Sequence, residues 1–229
     1  MFKTIKNALK TPEVRKKLLY TLLLIVIFRL GCYITIPGVD SVTVSDQMKA
    51  ASNGVTGLID TISGGAFSRL SIFAMSITPY ITASIVIQLL GMVIPSLERL
   101  VKEGGEEGKT KVNKYTKILT VILALIEGLG VFFSYKSTGI FLDTGFLGGF
   151  LTVLSLMTGT ALLIWLGEQI TNKGIGNGIS MLIFVGIIAG LPKGITAVWK
   201  LIFVNGAFST VGLIKALAVV LGALVLVAG

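Results

Sequence analysis

The sequence predicts an all-α, polytopic membrane protein built as a bundle of hydrophobic helices. Two observations carry that expectation. Hydrophobic residues fill 53% of the 229 positions and charged residues only 14%, against about a quarter charged in an ordinary soluble domain. The apolar residues also fall in long runs, which suits helices crossing a hydrocarbon core of about 20 residues' length. Disorder is excluded, because it requires low hydrophobicity and high charge.

Six runs follow one another: Leu18 to Ile36, Leu70 to Ile94, Tyr115 to Tyr135, Phe146 to Leu166, Gly178 to Leu191 and Thr210 to Gly229. The first is preceded by a basic stretch and resembles a signal peptide. Its length and the absence of an A-x-A-like cleavage site favour a retained helix, ended by Ile36-Pro37-Gly38. Residues 1–17 form a cytoplasmic N-terminal segment, with Phe2, Ile5 and Leu9 on one side of an amphipathic surface helix. Thr11-Pro12 reads as an N-cap with proline at the first helical position. In the second run, Pro79 is expected to kink the helix by deleting a backbone hydrogen bond. The fifth run is short, and Gly174 to Ser180 is expected to extend its helix. The sixth stops at Gly229 with no basic flank, so the sequence is expected to be part of a longer protein, cut near the cytoplasmic end of that span.

Basic residues orient the bundle. Thirteen of the 20 Lys and Arg residues fall on the side of the N-terminal arm, the Glu98 to Lys117 loop and Lys173, and five on the other. The N-terminus is therefore expected in the cytoplasm, and the net charge of +9 needs no nucleic-acid partner. The basic loop serves as a topology determinant or as a docking surface for a cytoplasmic partner. Arg29 and Lys215 lie within spans, and Arg29 is near enough to the outer end to snorkel.

Missing residues narrow the function. The chain has no His, which removes His-based acid–base catalysis, nucleophilic triads and His metal ligands. The single Cys32 lies in an apolar run and reads as a small hydrophobe. An enzyme is not expected, nor a cofactor or metal. A six-span transporter of small solutes is the alternative, but it calls for paired charges within the membrane. Glu127 is the clear embedded acid, and its fate is either protonation or a polar partner.

Three stretches stand out. Gly57 to Ala66 (Gly57, Leu58, Ile59, Asp60, Thr61, Ile62, Ser63, Gly64, Gly65, Ala66) is semi-apolar, too short to span and hinged on Gly64-Gly65. It suits a movable plug and equally a re-entrant packing segment. Ser76, Thr78, Thr82, Ser84 and Gln88 are too polar for a lipid face and suit a bundle interior or an aqueous path. Ile77 and Ile81, like Ile179 and Ile183, are four apart and share a helix face. Branched apolar residues seal pores, but such pairs are far more often plain packing residues. The glycines of Gly174-Ile175-Gly176-Asn177-Gly178-Ile179 lack the strand and spacing of a phosphate loop and suit a tight turn between spans.

Leu166-Gly167-Glu168-Gln169-Ile170-Thr171-Asn172-Lys173-Gly174-Ile175-Gly176-Asn177-Gly178-Ile179-Ser180 strongly resembles the loop between the fourth and fifth helices of the SecY family of bacterial protein-translocation channels. Ser63-Gly64-Gly65-Ala66-Phe67-Ser68-Arg69 resembles the family's plug joint, Thr78-Pro79-Tyr80-Ile81-Thr82-Ala83-Ser84-Ile85 its second helix, and Ile36-Pro37-Gly38-Val39 the end of its first. The resemblance implies ten helices in two inverted halves, of which this chain holds the first half (residues 18–191), an extracytoplasmic hinge loop (192–208) and a sixth helix (209–229). It implies a pore ring that includes Ile77, Ile81, Ile179 and Ile183, a plug over Gly57 to Ala66, and a lateral-gate wall with Thr78, Thr82, Ile85 and Gln88. It implies a hinge starting at Gly190-Leu191-Pro192. Implied partners are SecE-like and SecG-like small membrane subunits, the SecA motor ATPase, the ribosome, polypeptides bearing signal sequences, and membrane lipid. The implied site is the bacterial plasma membrane, and the implied activity is conduction of unfolded polypeptides with lateral release of membrane segments.

Overall fold

The computed structural model describes residues 11–40, 42–44, 47, 60, 63–102, 104–204 and 207–208. The expected amphipathic segment, most of the plug stretch (Gly57 to Ile59, Thr61 and Ile62) and the sixth span lie outside the described residues. The chain forms two compact units, Met1–Ile187 and Ile188–Gly229.

Helices α1 (Pro12–Gly31), α2 (Thr78–Val93), α3 (Pro95–Lys102), α4 (Gly105–Tyr135), α5 (Phe146–Lys173) and α6 (Gly178–Ile202) follow in order, with a 3₁₀ turn at Phe67–Arg69. Thr11 holds the N-cap of α1 with extended backbone, and Pro12 opens the helix, where its missing N–H costs nothing. Helix α1 packs on α5, α5 on α4, and α4 on α2 and α3.

The first unit is dressed for lipid. Leu19, Leu22, Leu23 and Val26 of α1, Ile118, Ile122, Ile126 and Phe133 of α4, and Phe146, Phe150 and Trp165 of α5 are all exposed. So wide an apolar surface marks a membrane or partner face. The inward stripe of α4 is Thr116, Thr120, Ala124, Gly128 and Phe132, and that of α5 includes Gly149, Thr152, Leu156, Gly159, Thr160 and Leu163. Small residues let helix backbones approach closely in a bilayer, where apolar side chains alone give no preference for the interior. The hydroxyls are satisfied within their own helices: Thr116 donates to the Val112 carbonyl at 3.0 Å, Thr120 to Thr116 at 2.7 Å and Thr160 to Leu156 at 3.2 Å.

Two apolar clusters fill the interior. One joins Ile36, Val44, Phe67, Leu70, Met75, Phe132, Ile140, Phe141 and Leu156. The other joins Leu24, Phe28, Cys32, Phe73, Ile77, Leu163, Ile170 and Leu182.

Several expectations need correction. Residues 70–77 are turns rather than helix, and α2 begins at Thr78. Pro79 therefore lies in the first turn of this helix and does not kink it: there the N–H that proline lacks would have had no intrahelical partner. The basic loop is largely helical, since α3 and the first turns of α4 occupy it. Hydropathy reads only the apolar part of a helix, whereas α4 continues through Lys109, Lys111 and Lys114. Helix α6 starts at Gly178 rather than extending back through Gly174, because Gly176 at φ 76° breaks the chain before it.

In the second unit α6 runs on to Ile202, so most of the expected hinge loop is helical and Gly190, Leu191 and Pro192 lie inside a helix. An internal proline removes one hydrogen bond but does not force an end when good helix formers follow, as Ala197, Lys200 and Leu201 do. A small antiparallel ladder follows, Phe203–Val204 against Ala207–Phe208.

Candidate functional site

The four isoleucines at paired spacing belong to one apolar cluster. Ile77 is the N-cap residue of α2, 2% exposed, and Ile81 lies one turn on. Ile179 and Ile183 occupy the first turns of α6, and with Ile81 they pack on the buried cluster that contains Ile77. Nothing but branched apolar carbon is offered by these four side chains.

The turn between α5 and α6 sets where Ile179 and Ile183 sit. Asn177 caps α6 with its side-chain oxygen, accepting from the N–H of Ile179 at 3.1 Å and of Ser180 at 3.2 Å. The Gly178 N–H donates to the Thr171 hydroxyl at 2.9 Å, which itself donates to the Gly167 carbonyl at 2.9 Å. Helix α1 reaches the same turn. The Ile175 N–H donates to the Thr21 hydroxyl at 3.1 Å, and the Tyr20 hydroxyl donates to Gln169 at 3.2 Å. Glu168 pairs with Lys117 of α4. The sequence motif is thus a set of tethers for the start of α6. Tyr20, Thr21 and Lys117 escape a reading of the sequence because their partners are far away along the chain; an apolar first span carrying Tyr and Thr side by side is the faint signal.

Of the plug stretch, Asp60 and Ser63 to Ala66 are described. Asp60 organises the joint: its carbonyl accepts from the Gly65 N–H at 2.8 Å and its carboxylate from the Ser68 N–H at 2.7 Å. Ser63 donates to the same carbonyl at 3.0 Å and accepts from the Phe67 N–H at 3.1 Å. Gly64 and Gly65 both have positive φ, 66° and 85°.

The stripe Thr78, Thr82, Ile85 and Gln88 runs along one side of α2, opposite the buried Pro79, Ala83 and Ile87. Thr82, Ile85 and Gln88 are exposed. Thr82 donates back to the Thr78 carbonyl at 3.1 Å and Gln88 to the Ser84 hydroxyl at 3.4 Å. Glu127 faces a cavity of about 390 Å³ whose lining includes Phe67, Thr78 and Tyr135. Among the described residues no cluster of His, Cys, Asp and Glu is able to hold a metal ion.

Residues 71–229 match the sequence model of the SecY family. The chain belongs to the SecY family. It is 45% identical over 217 residues to the protein translocase subunit SecY of Rickettsia felis, covering 93% of this chain and 49% of that protein. Against the SecY of Staphylococcus carnosus it is 41% identical over 233 residues, with 100% and 54% covered. The chain therefore spans about half the length of the curated SecY proteins it matches. Its fold is similar to that of Sec61 in the canine ribosome–channel complex, with TM-score 0.55, 21% identity and 85% of this chain on 39% of that one. It is also similar to a SecY structure in which the plug domain is described as stabilising the closed translocation channel. There the TM-score is 0.59 and the identity 21%, with 93% of this chain on 45% of that one. Both likenesses speak to the SecY fold alone.

Proposed function

We propose that the chain supplies the first half of a protein-conducting channel, and is not an enzyme. The observation that carries this reading is the meeting of Ile77, Ile81, Ile179 and Ile183 in one apolar cluster on two helices of a SecY-family bundle. Unfolded, signal-bearing polypeptides cross the bacterial plasma membrane through it, and membrane segments leave sideways into lipid. The four isoleucines form part of the pore ring. An apolar ring offers a passing chain no fixed hydrogen bonds and dewets when empty, which excludes ions. The stretch Gly57 to Ala66 is the plug. The stripe Thr78, Thr82, Ile85 and Gln88, exposed at its last three residues, is one wall of the lateral gate. Gly190, Leu191 and Pro192 begin the hinge between halves.

The N-terminus and the α3–α4 hairpin face the cytoplasm, as their lysines and arginines support. That hairpin serves as a topology determinant or as part of a docking surface for a cytoplasmic partner, and the energy for transport comes from a partner such as a SecA-like motor or a ribosome. SecE-like and SecG-like subunits complete the assembly.

Electrophysiology tests the ring. In the full-length channel reconstituted in planar bilayers, Ile77→Ser and Ile183→Gly are expected to raise the resting ion conductance. Resting conductance unchanged in both variants would overturn the assignment.

A further inference from the structure

Arg29 is a cation within the first span, in the last turn of α1 and three residues before its C-cap Cys32. An intramembrane cation is costly and is placed where it has a partner or a polar path. Arg29 is half-buried, and its guanidinium Nη1 donates a hydrogen bond to the Gly64 carbonyl at 3.2 Å, across 35 residues. The fit around Gly64 is tight on both sides. A Cβ at Gly64 would lie 2.5 Å from that same Arg29 nitrogen and 3.0 Å from the carbonyl oxygen of Gly186 in α6. With φ at 66°, Gly64 also holds a conformation that side chains other than glycine rarely adopt. The neighbouring cation, Arg69, is engaged elsewhere, with its guanidinium 4.3 Å above the Tyr33 ring.

We propose that Arg29 is a latch for the plug: its guanidinium holds the Gly64 carbonyl when the channel rests and releases it when the plug leaves. This rests on the plug and pore reading above. The chemistry suits a switch. In the closed state the carbonyl is a charge-assisted partner for a cation within the span. When the plug leaves, water entering the funnel solvates both groups, so breaking the bond exchanges one set of partners for another. Because the acceptor is backbone, the latch needs no particular plug side chain. It needs a residue at 64 small enough to admit the guanidinium. Arg29 is therefore a positioning residue, acting on the resting equilibrium and not on the passing polypeptide.

The test uses the full-length channel with its small membrane subunits in planar bilayers. Arg29→Gln is expected to raise resting open probability about tenfold, in line with the loss of one charge-assisted hydrogen bond. Arg29→Lys, which keeps the charge and a donor, is expected to restore most of the seal. Gly64→Ala places a methyl group against Nη1 and is expected to leak similarly. The double variant R29Q/G64A is expected to leak no more than the leakier single one, because both break the same bond. If R29Q does not accumulate, Gly64→Ala and Arg29→Lys carry the test by themselves: a leaking Gly64→Ala channel beside a nearly tight Arg29→Lys channel is expected, and a tight Gly64→Ala channel would overturn the latch. A tight R29Q channel beside a leaking Ile77→Ser channel would overturn the latch while leaving the ring intact. If Ile77→Ser is tight as well, the pore reading fails and the latch with it. Additive leaks, or failure of lysine to rescue, would reduce Arg29 to a packing role.

Discussion

The two helices that carry the isoleucines are entered by two differently built joints. The joint before α6 is tied by side chains: Asn177, Thr171 and Thr21 each accept a backbone N–H, and Tyr20 holds Gln169. The joint before α2, residues 70–77, is tied by backbone. The Ile36 N–H donates to Leu70 at 3.0 Å and the Ile72 N–H to Ile34 at 2.9 Å. Its helix is capped by Ile77, which has no side-chain acceptor to offer. Two of its residues other than glycine hold left-handed backbone, Leu70 at φ 41° and Ser76 at φ 52°. The first joint is a fixed mount with many independent ties. The second is a strained strip beside the Gly64-Gly65 joint, held by backbone bonds. Such strain persists only where neighbouring structure over-determines it.

The closeness of the strained strip to α5 gives the sharpest way to break this contrast. A Cβ on Gly159 would collide with the Ile72 carbonyl, which is backbone and unable to swing away. Gly159→Val is expected to cost at least about 3 kcal/mol, with loss of accumulated full-length protein. Gly130→Ala, on the same bundle with open space around it, is the matched control and is expected to raise or preserve the thermal midpoint. Tolerance of valine at 159 would show that residues 70–77 are not held against α5.

The fixed mount is tested next. Asn177→Ala strips the cap from α6 and is expected to lower stability by about 1 kcal/mol, with Asn177→Asp recovering most of it. The smaller contrast lies in backbone strain, where two substitutions should have opposite signs. Ser76→Gly relieves a left-handed serine and is expected to stabilise by about 0.5 kcal/mol after the entropy of glycine is counted. Gly176→Ala at φ 76° is expected to destabilise by about 1 kcal/mol, read from thermal midpoints of the full-length protein.

The same contrast explains what a reader of the sequence can see. The α6 joint is visible because its chemistry is local: Asn177 three residues before Ser180, and glycines at 174, 176 and 178. The lipid-facing runs and the isoleucine spacing are visible because they are periodic. The strip 70–77 is invisible, because Leu70-Ser71-Ile72-Phe73-Ala74-Met75 is as apolar as the helix after it and hydropathy does not report backbone conformation. Pro79 carries the correct boundary, but a proline within an apolar run reads equally as a kink. The polar start of α4 is missed for the opposite reason, being helical without being apolar. Long-range ties such as Tyr20 to Gln169 and Arg29 to Gly64 leave only a faint local trace, a polar side chain within an apolar span, and nothing that names the partner.

Asp40 is a titratable tie on the backbone-held side, and it gives the smallest effect. Asp40 follows the bridge between Val39 and Phe141, and its own N–H donates to the Ile140 carbonyl at 2.9 Å. Its carboxylate accepts from the Thr43 hydroxyl and, at 3.1 Å, from the Val42 N–H. These hydrogen bonds, the Thr43 hydroxyl foremost, favour the ionised form and hold its pKa below the ordinary value. The stabilisation is therefore present above the ordinary carboxylate range and is lost as pH falls through the lowered value. The turn it supports carries Val44, fully buried among Ile36, Ile140 and Phe141. Acidification is thus expected to loosen this turn first, seen as lower amide protection factors at Val42 to Val44, taken relative to the intrinsic exchange rate at each pH, in the full-length protein. Asp40→Asn should flatten that pH dependence. An equal acid response in D40N would place the sensitive group elsewhere, and Asp40 would then be one more exposed carboxylate and no tie to the strained half.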